Sequence, residues 1–324
     1  MRVRSSNART ARAARAVLVC GAAALFGLGY PVGPDIRTAS AQDGNKHLCR
    51  DVAHAFGLVK AEPDARKLNF LLFDASSYGC VDLATQLVAA GASTTARDRT
   101  GNTALLIAAR SGRNRVLAYL LDAGSDVDHA NLAGSTALIR AATANRRKTV
   151  KLLLDARAAP DPANRQGITA LIAASYTGNR RLVKMLLDAD ADPHKLDRSG
   201  KSAMVYAAGK GFTGIVGLLM RKGVKVNEAY GHGLTALMWA AGHSNEVPEA
   251  EGLETVRALI ANGAALDLRD DRGRTALMIA AERSHPQIVA HLIEAGADLS
   301  LSDKSGKTAM DLASNPKVRD ALSN

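Results

Sequence analysis

The sequence predicts an all-α solenoid of paired short helices, joined by β-turn tips and closed by a capping unit at each end. Three observations carry this. A glycine recurs at Gly101, Gly134, Gly167, Gly200, Gly233, Gly273 and Gly306, in steps of 33 residues broken once by a step of 40. A fixed period of that size marks stacked repeats. Each period also holds the same contents: a turn, a short Ala/Leu-rich segment, a break, and a second segment with apolar residues at helical spacing. Finally, helices of about ten residues are marginal alone in water, so each pair must bury its apolar face on the next.

Asp98 to Ala130 serves as the template. Asp98-Arg99-Thr100-Gly101 is a turn tetrad in which Gly supplies backbone freedom. Thr103 is suited to cap the helix from Ala104 to Arg110. Ser111-Gly112-Arg113 breaks the chain, and Asn114 to Ala123 forms the second helix with Val116, Leu117, Leu120 and Leu121 on one face. Gly124 ends it as a C-cap.

This unit resembles the ankyrin repeat, whose pattern is D-x-x-G-x-T-P-L-H-x-A-A, then a Gly, a V-x-x-L-L run and G-A-D-V. Seven copies in phase extend the resemblance over about four fifths of the chain. One departure is consistent: the T-P-L-H element is T-A-L-x, as in Thr103-Ala104-Leu105-Leu106 and Thr169-Ala170-Leu171-Ile172. The usual His position is apolar in six copies and Asp311 in the seventh, so hydrophobic contact is expected to replace that His hydrogen bond. The resemblance implies an ankyrin solenoid whose turn tips and inner helix faces form a concave groove for partner proteins.

The chain in order begins outside the repeats. Residues 1–41 read as a secretory signal peptide: five arginines before Ala16, an apolar run from Ala16 to Gly29, prolines at 31 and 34, and Ala39-Ser40-Ala41 as a small-x-small cleavage site, with cleavage between Ala41 and Gln42. The run is shorter than the roughly 20 residues of a membrane span, which makes a retained anchor the lesser reading. Six Arg and one Asp precede Gln42, so the net charge falls from +11 for the chain to +6 after cleavage. The Ala- and Arg-rich style suggests a bacterial protein exported to the periplasm or beyond.

Residues 42–64 are the expected N-terminal cap, with one amphipathic helix over Lys46 to Phe56 and a break at Ala61-Glu62-Pro63-Asp64. His47, Cys49 and His54 match no standard metal-site spacing, so no metal is assigned. Residues 65–97 are a degenerate first repeat, with Phe70, Leu72 and Ala75 as its first-helix positions. Cys49 and Cys80 are the only cysteines left after cleavage; an oxidising compartment favours a disulfide between them, and two buried free thiols are the alternative. Regular repeats start at 98, with Asn131 and Asn164 standing in for the opening Asp of their turns. Counting 65–97 as the first, the sixth repeat carries an acidic insertion at 244–252, either a functional element that could screen the groove or a tolerated surface loop. The array ends in a polar C-cap, 303–324.

No catalytic constellation, phosphate-binding glycine loop or C-x-x-C pair occurs, so neither enzyme activity nor a cofactor is expected. By position, the resemblance places partner contacts at Arg99, Arg110, Arg165, Tyr176, Arg198, Lys201, Lys210, His232, His243, Arg272, Arg274 and Arg283. Over the inferred groove positions as a whole, eleven side chains are basic and two acidic. That balance points to an acidic protein partner, with solvated charge on a soluble repeat protein as the alternative. Nucleic acid fits poorly, because aromatic stacking residues are few. The expected function is a monomeric, exported protein-binding scaffold. Two variants of it stand beside that reading: an accessory factor for an envelope enzyme or stress protein, and a secreted effector that binds host proteins.

Overall fold

Alanines set the geometry of the array. In the second repeat Ala104, Ala108 and Ala109 are fully buried, as are Leu105 and Leu106, so neighbouring first helices approach closely and interlock through their aliphatic side chains. After α1 (Ala41–Val59) the helices come in pairs. These are α2 (Ala65–Tyr78) with α3 (Val81–Ala89), α4 (Ala104–Ser111) with α5 (Asn114–Asp122), α6 (Ala137–Thr143) with α7 (Arg147–Asp155), and α8 (Ala170–Tyr176) with α9 (Arg180–Asp188). Next come α10 (Ala203–Gly209) with α11 (Thr213–Arg221), α12 (Ala236–Ala241) with α13 (Glu249–Ala261), α14 (Ala276–Arg283) with α15 (Pro286–Glu294), and α16 (Ala309–Leu312) with α17 (Pro316–Ser323). First helices stack on first helices from α2 to α16, and second on second from α3 to α17. The core is the continuous seam between the two layers, where each buried Leu or Val contributes about 1.5–3 kcal/mol.

The computed structural model describes residues 41–60, 64–243 and 247–323, with side chains from residue 45. The expected signal peptide therefore lies outside the described residues, and of its expected cleavage site only the backbone of Ala41 and Gln42, which opens α1, is described. The break at Ala61-Glu62-Pro63 and residues 244–246 of the insertion lie outside them too. Asp43–Asn324 is one compact unit. No helix of the described residues is long and apolar enough to cross a membrane.

The turn tips are built by their first residue. Asp98 Oδ1 accepts the backbone N–H of Thr100 at 2.8 Å and of Asn102 at 2.9 Å. Asn131 and Asn164 do the same with their amide oxygens, which is why they replace Asp without loss of the turn. Burial raises the Asp98 carboxyl, but the hydrogen bonds from Asn102 and Thr100 outweigh it and hold the group below its usual range. Adjacent tips are then laced together. The N–H groups of Leu132, Arg165, Arg198, Gly231, Asp271 and Lys304 donate to carbonyls one repeat back, at 2.9–3.0 Å. Gly167 is needed here: its φ is +80°, and a Cβ would lie 2.8 Å from the Asp197 Cα. The sixth tip starts with Tyr230 instead of an acid, and closes by a short antiparallel pair, Ala229–Tyr230 with Leu234–Thr235.

The expected hydrophobic replacement of the family His is present: Leu106, Ile139, Ile172, Val205, Met238 and Met278 are all buried. The capping expectation needs one correction. Thr136, Thr169, Ser202, Thr235, Thr275 and Thr308 each accept a backbone N–H at the start of their helix, but the Thr103 hydroxyl makes no such bond. The first repeat needs another. α2 has 14 residues, and its longer course changes which side faces the core: Leu68, Leu72, Phe73 and Ala75 are buried, while Phe70 is exposed.

At the N-terminus, Cys49 of α1 and Cys80, which precedes α3, form a disulfide with a Cα separation of 5.6 Å. Val52 and Phe56 of α1 are buried, so the helix covers the start of the array. His47 faces Asp51 at 3.0 Å, and Cys49 is committed to the disulfide.

Candidate functional site

In the second to seventh repeats the fourth residue of the first helix is the variable one. It lies between buried neighbours and reads Ile107, Arg140, Ala173, Tyr206, Trp239 and Ile279. Ile107, Arg140, Tyr206 and Trp239 are half-buried, whereas Ala173 and Ile279 are buried. The sequence assignment used tip positions and the ends of the first helices, and so passed over Arg140, Tyr206 and Trp239. The available signal was the periodicity itself: the chain's single Trp occupies a position otherwise framed by buried alanines.

Three rings line consecutive repeats. Tyr176 and Tyr206 meet edge to face at 5.5 Å between centroids. The Lys201 ammonium stands over both Tyr206 at 5.8 Å and Trp239 at 5.2 Å, and Lys210 stands 4.4 Å from the Tyr176 centroid. A cation over a ring is stabilised by about 0.5–1 kcal/mol at an exposed site and more when dry. The cluster is pinned by a tip: the Tyr206 hydroxyl donates to Asp197 Oδ2 at 2.6 Å, and Asp197 is itself buried. Burial, with this carboxylate beside it, pushes the Tyr206 phenol far above its ordinary value. The hydroxyl is therefore a fixed donor, and the ring cannot swing away from the groove without breaking that bond.

The predicted contacts fall into three groups. Arg99, Arg110, Arg165, Arg198, His232, Arg272 and Arg283 are exposed, on tips or at the ends of first helices. Tyr176, Lys201 and Lys210 are half-buried in the aromatic cluster, so the two lysines pack on rings while no acid of the chain pairs with them among the described residues. Arg274 is held by Asp270 at 2.9 Å and Glu282 at 2.8 Å, with 18 % of its side chain exposed, and its charge is spent within its own repeat. Arg140 adds a cation the sequence reading lacked; burial and then the neighbouring Arg110 lower its pKa.

His243 is a correction. It is 2 % exposed and stacks on buried His285, with ring centroids 4.0 Å apart, so it cannot meet a partner. The cause is the described end of the insertion, which is helical. Glu249–Gly252 extends α13 at its start, and Gly252 lies directly on the His243 ring. Glu249 Oε1 accepts the Gln287 N–H at 2.8 Å, tying this turn to the next repeat, at the end of α12 opposite the tip. The Glu249–Gly252 turn is thus a brace between repeats at the end of α12 opposite the tips.

This pair makes a pH prediction. His285 Nδ1 bonds the Ala241 carbonyl at 2.9 Å, and burial, outweighing that bond, lowers the His285 pKa below its ordinary value. A lowered folded pKa means that the unfolded chain binds the proton first as pH falls below about 6.5. Its contribution to stability is complete above that pH and is lost below it. His285→Asn is expected to flatten the fall in urea midpoint between neutral and mildly acidic buffer, while an unchanged pH slope would show that other groups control it.

Family models match most of the array. One described as ankyrin repeats in three copies matches 72–166, 124–197 and 170–250; one described as ankyrin repeats in many copies matches 259–313; and one described as ankyrin repeat matches 232–271. A search of curated proteins found no match.

Proposed function

The chain belongs to the ankyrin-repeat family, and from that premise we propose that it is an exported, non-catalytic scaffold that takes an acidic segment of a partner protein across the concave face of its fourth to sixth repeats. The family itself supports a protein–protein interaction scaffold. The observation that carries the finer reading is the aromatic cluster Tyr176, Tyr206 and Trp239 with Lys201 and Lys210 above it. A partner carboxylate pairs with the ammonium groups, and an apolar neighbour on the same segment covers the ring edges. Aromatic residues that are already half-buried lose little freedom on binding, which is why Trp and Tyr dominate interface energetics. Arg165 and Arg198 on adjacent tips steer an acidic segment toward the cluster. Export is supported by the basic and apolar N-terminal sequence and by the Cys49–Cys80 disulfide, a bond typical of oxidising compartments.

The test is to cross-link and purify a partner from envelope fractions, then measure its binding to variants. Trp239→Ala is expected to weaken affinity by about 30-fold or more, the scale of an interface hot spot. Lys201→Glu with Arg198→Glu is expected to slow association and flatten its salt dependence. A folded Trp239→Ala protein with unchanged affinity would move the interface off this face.

A further inference from the structure

A second charged surface lies outside the concave face. The turns between first and second helices end the solenoid on the side away from the tips. In the second to fifth repeats these turns are residues 110–115, 143–148, 176–181 and 209–214, and they contain no Asp or Glu. The second helices of the second to fourth repeats begin there with Arg115, Arg146, Arg147, Lys148, Arg180 and Arg181, all exposed. Among the described residues none of the six is in an ion pair, while Lys151 and Lys184, further along the same helices, pair with Asp155 and Asp188.

The stacking register aligns them. Arg115, Lys148 and Arg181 are 33 residues apart and so occupy the same position in successive repeats; Arg147 and Arg180 do likewise. With stacked helices about 10 Å apart, the row spans roughly 20 Å over three repeats. Its floor is ordered. The Arg146 stem lies against Gly112, and its Nε donates to the Arg110 carbonyl at 3.2 Å. Thr149 donates to Asn114 at 2.7 Å, and Asn179 to Asn145, along an open hollow of about 380 Å³ lined also by Arg147 and Lys148. Crowding of like charge is built in: burial and then the neighbouring Arg146 lower the pKa of Arg113 behind the row. The row stops at the fifth repeat, which has Thr213 and Gly214 at the matching positions, and the sixth repeat places Glu249, Glu251 and Glu254 at this end.

We propose that this end of the second to fourth repeats is a docking face for an anionic phospholipid surface. A bilayer presents many phosphates side by side, which a row of exposed cations on successive repeats can meet together. Each cation near such a surface contributes a factor of about five to partitioning. Single-stranded nucleic acid is less suited, because its proteins combine cations with stacking rings, and the nearby rings are engaged: Phe212 lies on Gly178, and Tyr176 lies under Lys210. Among the described residues the row is formed by helix starts packed in the array, with no separate element to enter a duplex groove. This inference does not rest on the concave-face reading.

The experiment is sedimentation of the full chain with vesicles of phosphatidylcholine, alone or mixed with phosphatidylglycerol, across a salt series. Arg146→Glu, Arg147→Glu and Lys148→Glu together are expected to lower partitioning onto the mixed vesicles by at least the hundredfold that three cations supply. A matched reversal at the other end of the repeats, Arg221→Glu, Lys222→Glu and Lys225→Glu, changes net charge equally and is expected to lower it far less. Both variants keep the basic and apolar N-terminal segment, so its own affinity for vesicles cancels between them. Equal loss in the two variants would reduce the effect to net charge and overturn the proposal, as would no loss in either. Binding to duplex DNA or inorganic polyphosphate through the same three residues, without binding to mixed vesicles, would also overturn it. Lys201→Glu with Trp239→Ala should leave vesicle binding intact, which separates this face from the groove.

Discussion

Gly252→Val is expected to destabilise the protein by about 3 kcal/mol, the upper end of the usual range for overpacking a closed site. A Cβ on Gly252 would lie 1.9 Å from His243 Cδ2, and the ring has little room to yield. It is stacked on His285, which is fixed in turn by the Ala241 carbonyl. The start of α13 cannot simply lift off, because Thr255 Oγ1 donates to the Glu251 carbonyl at 3.1 Å and lies 2.8 Å from Thr213 Oγ1 of α11. Relief must come from moving the brace that joins the fifth, sixth and seventh repeats, so the damage should spread to both interfaces. The measurement is the urea midpoint of Gly252→Val and of the double variant with His243→Ala. Removing the ring makes room for the new methyls, so the double variant should lose less than the sum of the two single changes. Strict additivity would mean that Gly252 and His243 do not oppose one another.

The repeats were legible because their causes are local. A turn acid that accepts two backbone N–H groups, a Thr or Ser that caps, and a Leu/Ala face each act within a few residues, so a 33-residue recurrence exposes them all. Even the absence of the family His was readable, since Leu106 or Met278 at that position is visibly apolar and proves buried. What sequence reasoning missed required knowing how one repeat lies on another. His243 reads as a groove residue by position, and only the added helical turn at Glu249–Gly252 buries it. Arg274 reads as a free cation, yet Asp270 and Glu282 fold onto it. Trp239 reads as ordinary helix filling until Lys201, 38 residues earlier, is found above its ring. The basic end was overlooked for a related reason: charge was counted only over the positions that the family resemblance makes functional.

Cutting the Cys49–Cys80 bond is expected to remove about 3–4 kcal/mol, and the loss should stay at one end of the molecule. The two cysteines are 31 residues apart, and cross-linking a loop of that length removes chain entropy from the unfolded state by this amount. α1 has little else to hold it: Val52 and Phe56 are its buried apolar side chains, with Cys49 and Val59 partly buried beside them. In a solenoid each repeat contacts only its neighbours, so stability is close to a sum of local terms. The double variant Cys49→Ser, Cys80→Ser should therefore let α1 and α2 open first, with Leu68 and Leu72 newly accessible, while the sixth and seventh repeats keep their protection. Amide hydrogen exchange resolves this directly. Protection in α1 should fall by two orders of magnitude or more, which is about 3 kcal/mol, and protection in α14 and α15 should be unchanged. A uniform fall across the array would instead show that the disulfide stabilises one cooperative unit. No fall at all would show that burial of Val52 and Phe56 holds the cap without it.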